Sequence, residues 1–238
     1  MPIWFVSDSV DGQESATSST EARRYWFLVF ELAVIAALFY GDVRHLVPFS
    51  KVPFLFLLGC LSLRLRKLRW KEVGLRRSES WPRTILMGIA AGASIEMLEL
   101  FVTQPLLVRL VGKMPDLSAF ELLRRNAKLL LVALALTWTL AAFGEEMVYR
   151  GYLMNRVAGL GGNSRLAWAA SLVLVNVLFG CAHMGQGITG MIENMIDGAL
   201  LALLYLWRGR TLAAPIIAHG VTDTIDCLLL FLGRYPGI

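Results

Sequence analysis

The chain has 238 residues and a net charge of +5, and 56% of its residues are hydrophobic while only 17% are charged. Its mean hydropathy of +0.59 excludes an ordinary soluble domain, which is about half apolar and about a quarter charged, and favours a polytopic membrane protein. The basic residues cluster in residues 64–83 between apolar stretches, which favours a cytoplasmic loop following the positive-inside bias over the alternative of a nucleic-acid patch.

Residues 1–22 form the predicted polar N-terminal tail, and residues 23–238 form a predicted single transmembrane helical domain. The tail lacks a basic segment followed by an apolar core of adequate length, so we expect no cleavable signal peptide. The first apolar block then acts as an uncleaved membrane anchor.

Apolar blocks of membrane-spanning length recur along the rest of the chain. A spanning helix needs about 20 mainly apolar residues. Seven segments fit: 25–41, 48–63, 84–106, 128–144, 166–183, 189–207 and 212–232. An eighth span is the alternative, if the chain after Gly144 or the segment 107–125 enters the membrane. The predicted fold class is therefore all-α, a polytopic transmembrane bundle of seven to eight spans.

The sequence GLGGN at residues 159–163 predicts a turn, because glycine readily adopts positive φ after a helix end. A helix that begins near residue 128 can therefore continue to about residue 158. Glu145 and Glu146 then lie within this helix rather than at its end.

The stretch EEMVYR, residues 145–150, places three charges in that helix. Glu146 and Arg150 have the acid-before-base spacing of four that favours an intrahelical ion pair. Glu145 is rotated by about 100° from Glu146, so it has a different partner surface. We therefore expect Arg150 to hold the Glu146 carboxylate and the Glu145 carboxylate to be available for catalysis. For these three residues taken alone, an interfacial helix end is the alternative interpretation.

Two of the three histidines lie in or beside later apolar blocks. Spacings of four place Phe179 and His183 on one helix face, and His219 and Asp223 on another. Each pair alone has a structural alternative, a packed histidine or a hydrogen-bonded His–Asp pair. Because a charge at the membrane centre costs about 2.5–3.5 kcal/mol on insertion scales, such residues on separate helices are expected to meet around an intramembrane polar cavity.

Two carboxylates and two imidazoles around water allow two chemistries. A carboxylate and a histidine can activate water for attack on a carbonyl, and imidazole donors can stabilise the oxyanion. The same groups could bind zinc through two histidines and a glutamate, although the HExxH pattern is absent. We expect no metal and no cofactor. Glu193, Asn194 and Asp197 are further polar residues of the sixth span, to which these patterns give no role.

Covalent catalysis has weaker support in the sequence. Ser171 lies in the fifth span, but no GxSxG elbow surrounds it. Cys60, Cys181 and Cys227 are odd in number and lie in or beside apolar stretches, so no disulfide framework is implied. Nothing pairs any of these cysteines with a base, and we interpret them as small buried hydrophobes.

Taken in chain order, the motifs EExxxR at 145–150, FxxxH at 179–183 and HxxxD at 219–223 resemble the CAAX-protease and bacteriocin-processing family. Its members are glutamic-type intramembrane endopeptidases related to the Ras-converting enzyme. The resemblance covers about residues 120–232, which we take as the catalytic core. It implies metal-independent peptide hydrolysis by six residues: Glu145, Glu146, Arg150, His183, His219 and Asp223.

The resemblance also implies a role for each residue. Glu145 would be the general base that activates the hydrolytic water, and His183 would help to hold that water. Glu146 and Arg150 would form the supporting ion pair that shapes the site. His219 would stabilise the tetrahedral oxyanion.

Asp223 occupies the family position where prenyl-protein proteases tend to have asparagine. An ionised aspartate cannot donate a hydrogen bond to an oxyanion. We therefore expect Asp223 to orient His219 or to favour its imidazolium form. This departure puts a CAAX substrate in doubt more than it does the peptidase activity.

The sequence thus predicts a peptidase of the bacterial inner membrane that cleaves a membrane-associated protein or propeptide, in maturation, sorting or CAAX-type processing. Its expected partners are this substrate and the lipid bilayer, with no nucleic acid. The substrate and the oligomeric state stay open. The alternatives are a non-catalytic immunity or regulatory protein of the same fold, a zinc-dependent membrane protease, and a transporter that uses its carboxylates as a proton relay.

Overall fold

The computed structural model describes residues 10–48 and 50–236, and within these residues it contains helices and no β-strand. This confirms the predicted all-α class. The seven main helices are α1 (Val10–Val43), α2 (Val52–Leu65), α3 (Trp81–Val111), α4 (Ala127–Leu160), α5 (Arg165–Cys181), α6 (Gly187–Trp207) and α7 (Ala213–Leu232).

Each predicted apolar segment corresponds to one of these helices, but the helices differ in length. Five of the described helical segments are long and apolar enough to cross a membrane: Tyr25–Val43, Trp81–Val111, Ala127–Leu160, Met184–Trp207 and Ala213–Leu232. Helices α2 and α5 are apolar but have only 14 and 17 residues. The chain after Gly144 continues α4, and the segment 107–125 holds the end of α3 and a short helical turn, Ser118–Leu123. The number of membrane crossings stays a prediction.

The chain divides into two compact units, the first ending at Lys51 and the second beginning at Val52. In the first unit, the Lys51 ammonium donates to Asp42 Oδ2 at 2.6 Å and lies 5.7 Å from the centre of the Phe39 ring. Residues 1–9 of the predicted tail lie outside the described residues, and α1 begins at Val10. The predicted domain boundary at residue 22 stays a prediction.

In the second unit, the most extensive helix contact joins α3 to α7. Small residues on α3 make this close approach possible. A Cβ atom at Gly88 would lie 2.6 Å from the Ile217 side chain, and one at Gly92 would collide with the Ala218 carbonyl. Glycines four residues apart are a common way for membrane helices to pack closely. This packing fixes the polar residues of α3 against those of α7.

Helix α4 carries the EEMVYR stretch and has an unusual backbone. Asn126 caps its start by accepting a hydrogen bond from Leu129 N. Over Thr137–Met154 the helix is widened, with the i to i+5 hydrogen-bond pattern that is rare and is frequently found at functional sites. The helix ends at Leu160, and Gly162 and Asn163 then adopt positive φ angles of 67° and 56°, which confirms the predicted turn.

Helix α3 has a similar widened segment over Glu99–Thr103, shortly before Pro105. Proline has no N–H, and its ring clashes with the carbonyl four residues earlier. A local widening relieves this clash without ending the helix. The buried Glu99 side chain lies in this widened segment.

Candidate active site

The centre of the polar interior is the Arg150 guanidinium, whose side chain is fully buried. Its Nη1 donates to Glu146 Oε1 at 2.8 Å, so the ion pair predicted from the spacing is present. Its Nη2 donates to the Gly198 carbonyl at 2.6 Å and to Asn176 Oδ1 at 3.4 Å. The guanidinium also lies 4.9 Å from the centre of the Phe179 ring, a cation–π contact. Arg150 therefore joins α4 to α5 and α6.

Glu146 extends this network to α7. His219 Nδ1 lies 2.9 Å from Glu146 Oε1, the same oxygen that accepts from Arg150. A carboxylate can only accept, so His219 donates this bond and carries a proton on Nδ1. The ring therefore points Nε2 away from Glu146. The two residues are 73 positions apart in the chain, and their contact fixes both the position and the tautomer of the imidazole.

Two further carboxylates lie near the free nitrogen of His219. Glu145 Oε2 is 4.0 Å from Nε2, and Asp223 Oδ1 is 3.6 Å from it. Both separations are too long for a direct hydrogen bond and short enough for an ion pair when the imidazole is protonated. The Glu145 and Asp223 side chains are 17% and 28% exposed, whereas the Glu146 side chain has no exposed area. The partly exposed carboxylates thus lie on the open side of His219.

The second histidine is connected to this group through Phe179. His183 Nδ1 lies 2.9 Å from the Phe179 carbonyl, which fixes Nδ1 as the donor, since the carbonyl oxygen can only accept. The Phe179 ring lies 4.9 Å from the His183 ring and 6.2 Å from the His219 ring, between centroids. Both imidazoles of the predicted motifs therefore contact one aromatic side chain of α5.

The sequence reasoning did not find two of the Arg150 partners, Asn176 and Gly198. Asn176 is a polar residue in an apolar helix, three residues before Phe179, and this exception was the available signal. Gly198 acts through its backbone carbonyl, which no residue pattern reveals. A Cβ atom there would lie 2.8 Å from Asn176 Oδ1 and 3.3 Å from Arg150 Nη2, so glycine leaves room for the guanidinium.

The remaining nucleophile candidates have structural contacts. Ser171 is buried and donates to the Met154 carbonyl at 2.8 Å, which joins α5 to α4. Cys60, Cys181 and Cys227 are free thiols, and all three are half-buried rather than fully buried as we expected. Among the described side chains, those of residues 25–48 and 50–236, no three of His, Cys, Asp or Glu are arranged to hold a metal ion.

Comparison with known proteins adds a family to this geometry. The model of the family described as type II CAAX prenyl endopeptidase Rce1-like matches residues 127–225, which contain all three motifs. The predicted resemblance is therefore confirmed over this segment. No curated protein and no solved structure matches the chain. Because this is a family of membrane proteases and five described helices have spanning length, the chain is an integral membrane protein.

Proposed function

From this Rce1-like segment and the contacts around His219, we propose that the chain is a glutamic-type intramembrane endopeptidase that hydrolyses a peptide bond with an activated water. The observation that carries the proposal is the meeting of Glu145, Glu146 and His219 from two remote parts of the matched segment, with Glu145 Oε2 4.0 Å from His219 Nε2.

Glu145 is the proposed general base. Its neighbour Glu146 already accepts from Arg150 and His219 through Oε1 and is fully buried. Glu145 instead has a partly exposed carboxylate beside the open nitrogen of His219. A general base must reach the proton that it removes, directly or through one water, and it must reach solvent to obtain that water. Of the two adjacent glutamates, Glu145 meets both requirements.

His219 is the proposed oxyanion donor. When the ring is doubly protonated, Nδ1 donates to Glu146 while Nε2 is free to donate to a carbonyl oxygen that becomes negative. The neighbouring Glu145, Glu146 and Asp223 carboxylates balance the charge of this imidazolium form. A donor held in place before the reaction stabilises the tetrahedral intermediate without reorganisation, which is often the largest catalytic effect.

His183 is proposed to hold the attacking water. Its Nδ1–H donates to the Phe179 carbonyl, so the neutral ring presents Nε2 as an acceptor. A water that donates one hydrogen to this nitrogen and another to Glu145 has its oxygen lone pair directed at the substrate. The contact of the Phe179 ring with both imidazoles supports a shared site for them.

Glu146 and Arg150 are proposed to position the other groups rather than to react. Arg150 is held by α5 and α6, and it holds Glu146, which holds His219. Groups fixed in this way are preorganised for the transition state. Asp223, at 3.6 Å from His219, is too far to orient the ring by a hydrogen bond, so we assign it the electrostatic role.

The proposed setting is a membrane bundle in which all seven helices cross or enter the bilayer, with the partly exposed Glu145 and Asp223 at an intramembrane polar cavity. The proposed location is the bacterial inner membrane. The proposed substrates are membrane-associated proteins or propeptides. Because position 223 holds aspartate and not asparagine, we favour non-prenylated substrates over CAAX proteins.

Comparative membrane proteomics of cells with the wild-type chain or Glu145→Ala tests the proposal. We expect at least one polypeptide to accumulate as a longer precursor in Glu145→Ala cells. Glu79→Ala, which changes an exposed carboxylate outside the matched segment, is the matched control and should resemble the wild type. If no polypeptide changes size, the chain is not a peptidase under those conditions, and an immunity or regulatory protein becomes the better interpretation. Activity lost to a chelator and restored by zinc would overturn the metal-free mechanism.

A further inference from the structure

A second group of carboxylates lies in the helical interior and has no part in the proposed mechanism. These side chains come from α3, α6 and α7, and two of them, Glu193 and Asp197, are polar residues of the sixth span that belong to none of the three motifs. We call them the acidic cluster: Glu96, Glu99, Glu193, Asp197 and Asp226.

The members of the acidic cluster face one another across helices. Glu96 of α3 lies beside Asp226 of α7, and Glu99 of α3 lies beside Asp197 of α6. The Tyr235 hydroxyl donates to Glu99 Oε1 at 3.4 Å. Three helices thus direct carboxylates at a common region, where the Tyr235 phenol and the Gln104 amide are the nearby donors.

The donors in this region are too few for the carboxylates. Glu96 is 1% exposed, and neither of its oxygens receives a hydrogen bond from an N–H or hydroxyl group of the described residues, although the Asp226 carboxyl group lies beside it. Glu193 Oε1 and Asp226 Oδ1 are also buried without a partner there. In the described part of the chain, no lysine, arginine or histidine forms an ion pair with a member of the cluster.

Such an arrangement is unfavourable unless its carboxyl groups stay protonated and neutral or a positive group enters it. A buried carboxylate without a compensating charge or donor is strongly destabilising. The nearby Arg150 is already bound to Glu146 and Gly198. No three acidic side chains of the described residues converge as metal ligands do. A guanidinium or ammonium group, by contrast, carries several donors and can bind carboxylates on different sides.

The acidic cluster lies about three substrate residues from the peptide bond that would be cleaved. Asp226 follows His219 by seven residues on α7, which is about 10 Å along a helix at 1.5 Å per residue. An extended peptide advances about 3.3 Å per residue. A substrate with its scissile carbonyl at His219 would therefore place a side chain about three residues away beside the acidic cluster.

We propose that the acidic cluster is a specificity subsite that binds a lysine or arginine side chain of the substrate, about three residues from the scissile bond. This inference rests on the proposed peptidase function for its substrate, and on the unpartnered Glu96 carboxylate for its charge preference. It requires a substrate segment that is basic near the cleavage site.

The first test is cleavage of a proteome-derived peptide library by the purified full chain in detergent micelles, with sequencing of the new termini. We expect lysine and arginine to be enriched two to four residues from the cut. Replacing the basic residue of the best peptide, lysine by norleucine or arginine by citrulline, should lower kcat/KM by roughly tenfold or more, because removing one partner of a buried charge pair has a large effect.

The same peptide pair should be cleaved at more nearly equal rates by Glu96→Gln and by Glu193→Gln. Two variants are used so that the misfolding of one does not decide the result. Glu79→Gln, an exposed carboxylate outside the cluster, is the matched control and should keep the wild-type preference. Cleavage without any enrichment of basic residues near the cut overturns the subsite and leaves the peptidase proposal standing.

A second measurement does not depend on activity. Benzamidine is an amidinium probe, and benzamide is its uncharged analogue. We expect benzamidine, and not benzamide, to raise the midpoint of thermal unfolding of the wild type and of Glu79→Gln, with a smaller rise for Glu96→Gln. If the wild type cleaves no peptide but shows this difference, the peptidase proposal fails and the cation site stands. Equal shifts with both probes overturn the cation site.

Discussion

The polar interior contains two groups of carboxylates that differ in how far the fold itself satisfies them. Around Arg150, the buried Glu146 accepts hydrogen bonds from α4 and α7, and the guanidinium is held by α5 and α6. In the acidic cluster, the equally buried Glu96 has no donor among the described residues. In the first arrangement a cation compensates the buried carboxylate, although Glu146 Oε2 and Arg150 Nε are buried without a hydrogen-bond partner among the described residues, and the group serves to position others. The second contains no cation of its own, and this is the feature expected of a surface that binds one.

The largest expected effect separates the two glutamates of the first group. Glu145→Gln should lower kcat for peptide cleavage by about 10²–10⁴-fold, the usual contribution of a general base. The free energy of unfolding should change little, because the Glu145 side chain is partly exposed. Initial rates and unfolding of the purified chain measure both quantities. A Glu145→Gln protein that cleaves as fast as the Glu79→Gln control would remove Glu145 from the mechanism.

Loss of the central cation should damage the fold as well as the activity. Arg150→Met leaves Glu146 buried without its ion-pair partner, and we expect the free energy of unfolding to fall by about 3–5 kcal/mol. The double variant Glu146→Gln with Arg150→Met should lose less, because the uncompensated charge is gone. Unfolding in mixed detergent micelles measures these differences. Equal losses in the single and double variants would show that packing of the long side chain, rather than charge, is what stabilises this region.

The room left for the guanidinium can be tested at Gly198. Gly198→Ala places a Cβ atom 2.8 Å from both Asn176 Oδ1 and Phe179 Cδ1. Overpacking of this kind typically costs about 1–3 kcal/mol, and a displaced Arg150 should also reduce cleavage. Gly159→Ala is the matched control, since it lies in the last turn of α4 with no neighbour within 4 Å of its Cβ position. That control should be neutral or slightly stabilising, because alanine is the better helix former.

A substitution in the acidic cluster should raise the free energy of unfolding, whereas the substitutions at Arg150 and Gly198 should lower it. Glu96→Gln replaces a carboxylate that lacks a donor by an amide that can donate to Asp226. We expect the free energy of unfolding to rise by about 1 kcal/mol, near the net value of one buried hydrogen bond. The measurement is the same unfolding experiment, without peptide or benzamidine. A clear loss of stability would indicate that Glu96 is satisfied in the folded chain, and the contrast between the two groups would disappear.

Much of the first group could be predicted from the sequence because its key relations are local. Glu146 and Arg150 are four residues apart on one helix, so their ion pair follows from helix geometry. The chain order of the three motifs also indicated the family. The bond from His219 to Glu146 was not predictable in this way, because it depends on how α7 packs against α4.

The acidic cluster could not be predicted from the sequence, because it too depends on how remote helices pack. Glu193 and Asp197 were noticed as polar residues in a span, but nothing in their spacing shows that they face Glu99 on another helix. That relation depends on how the second half of α3, which includes the widened turn at Glu99–Thr103, packs against α6. Contacts between remote helices are set by packing, and single-sequence patterns describe only one helix at a time.

Asp223 lies between His219 and Asp226 in the sequence of α7, and its substitution should have the smallest effect on cleavage. It is four residues from His219 and three residues before Asp226, and its side chain is 28% exposed. A partly exposed pair contributes about 0.2–1 kcal/mol, so Asp223→Asn should change kcat for an uncharged peptide by less than about fivefold. If Asp223 belongs with His219, this small change should be the same for basic and neutral peptides. If it belongs with the acidic cluster, Asp223→Asn should reduce the preference for the basic peptide and leave cleavage of the neutral peptide nearly unchanged. Because Asp223 Oδ1 lies 3.6 Å from His219 Nε2, close enough for the electrostatic role assigned to it, we expect the first result.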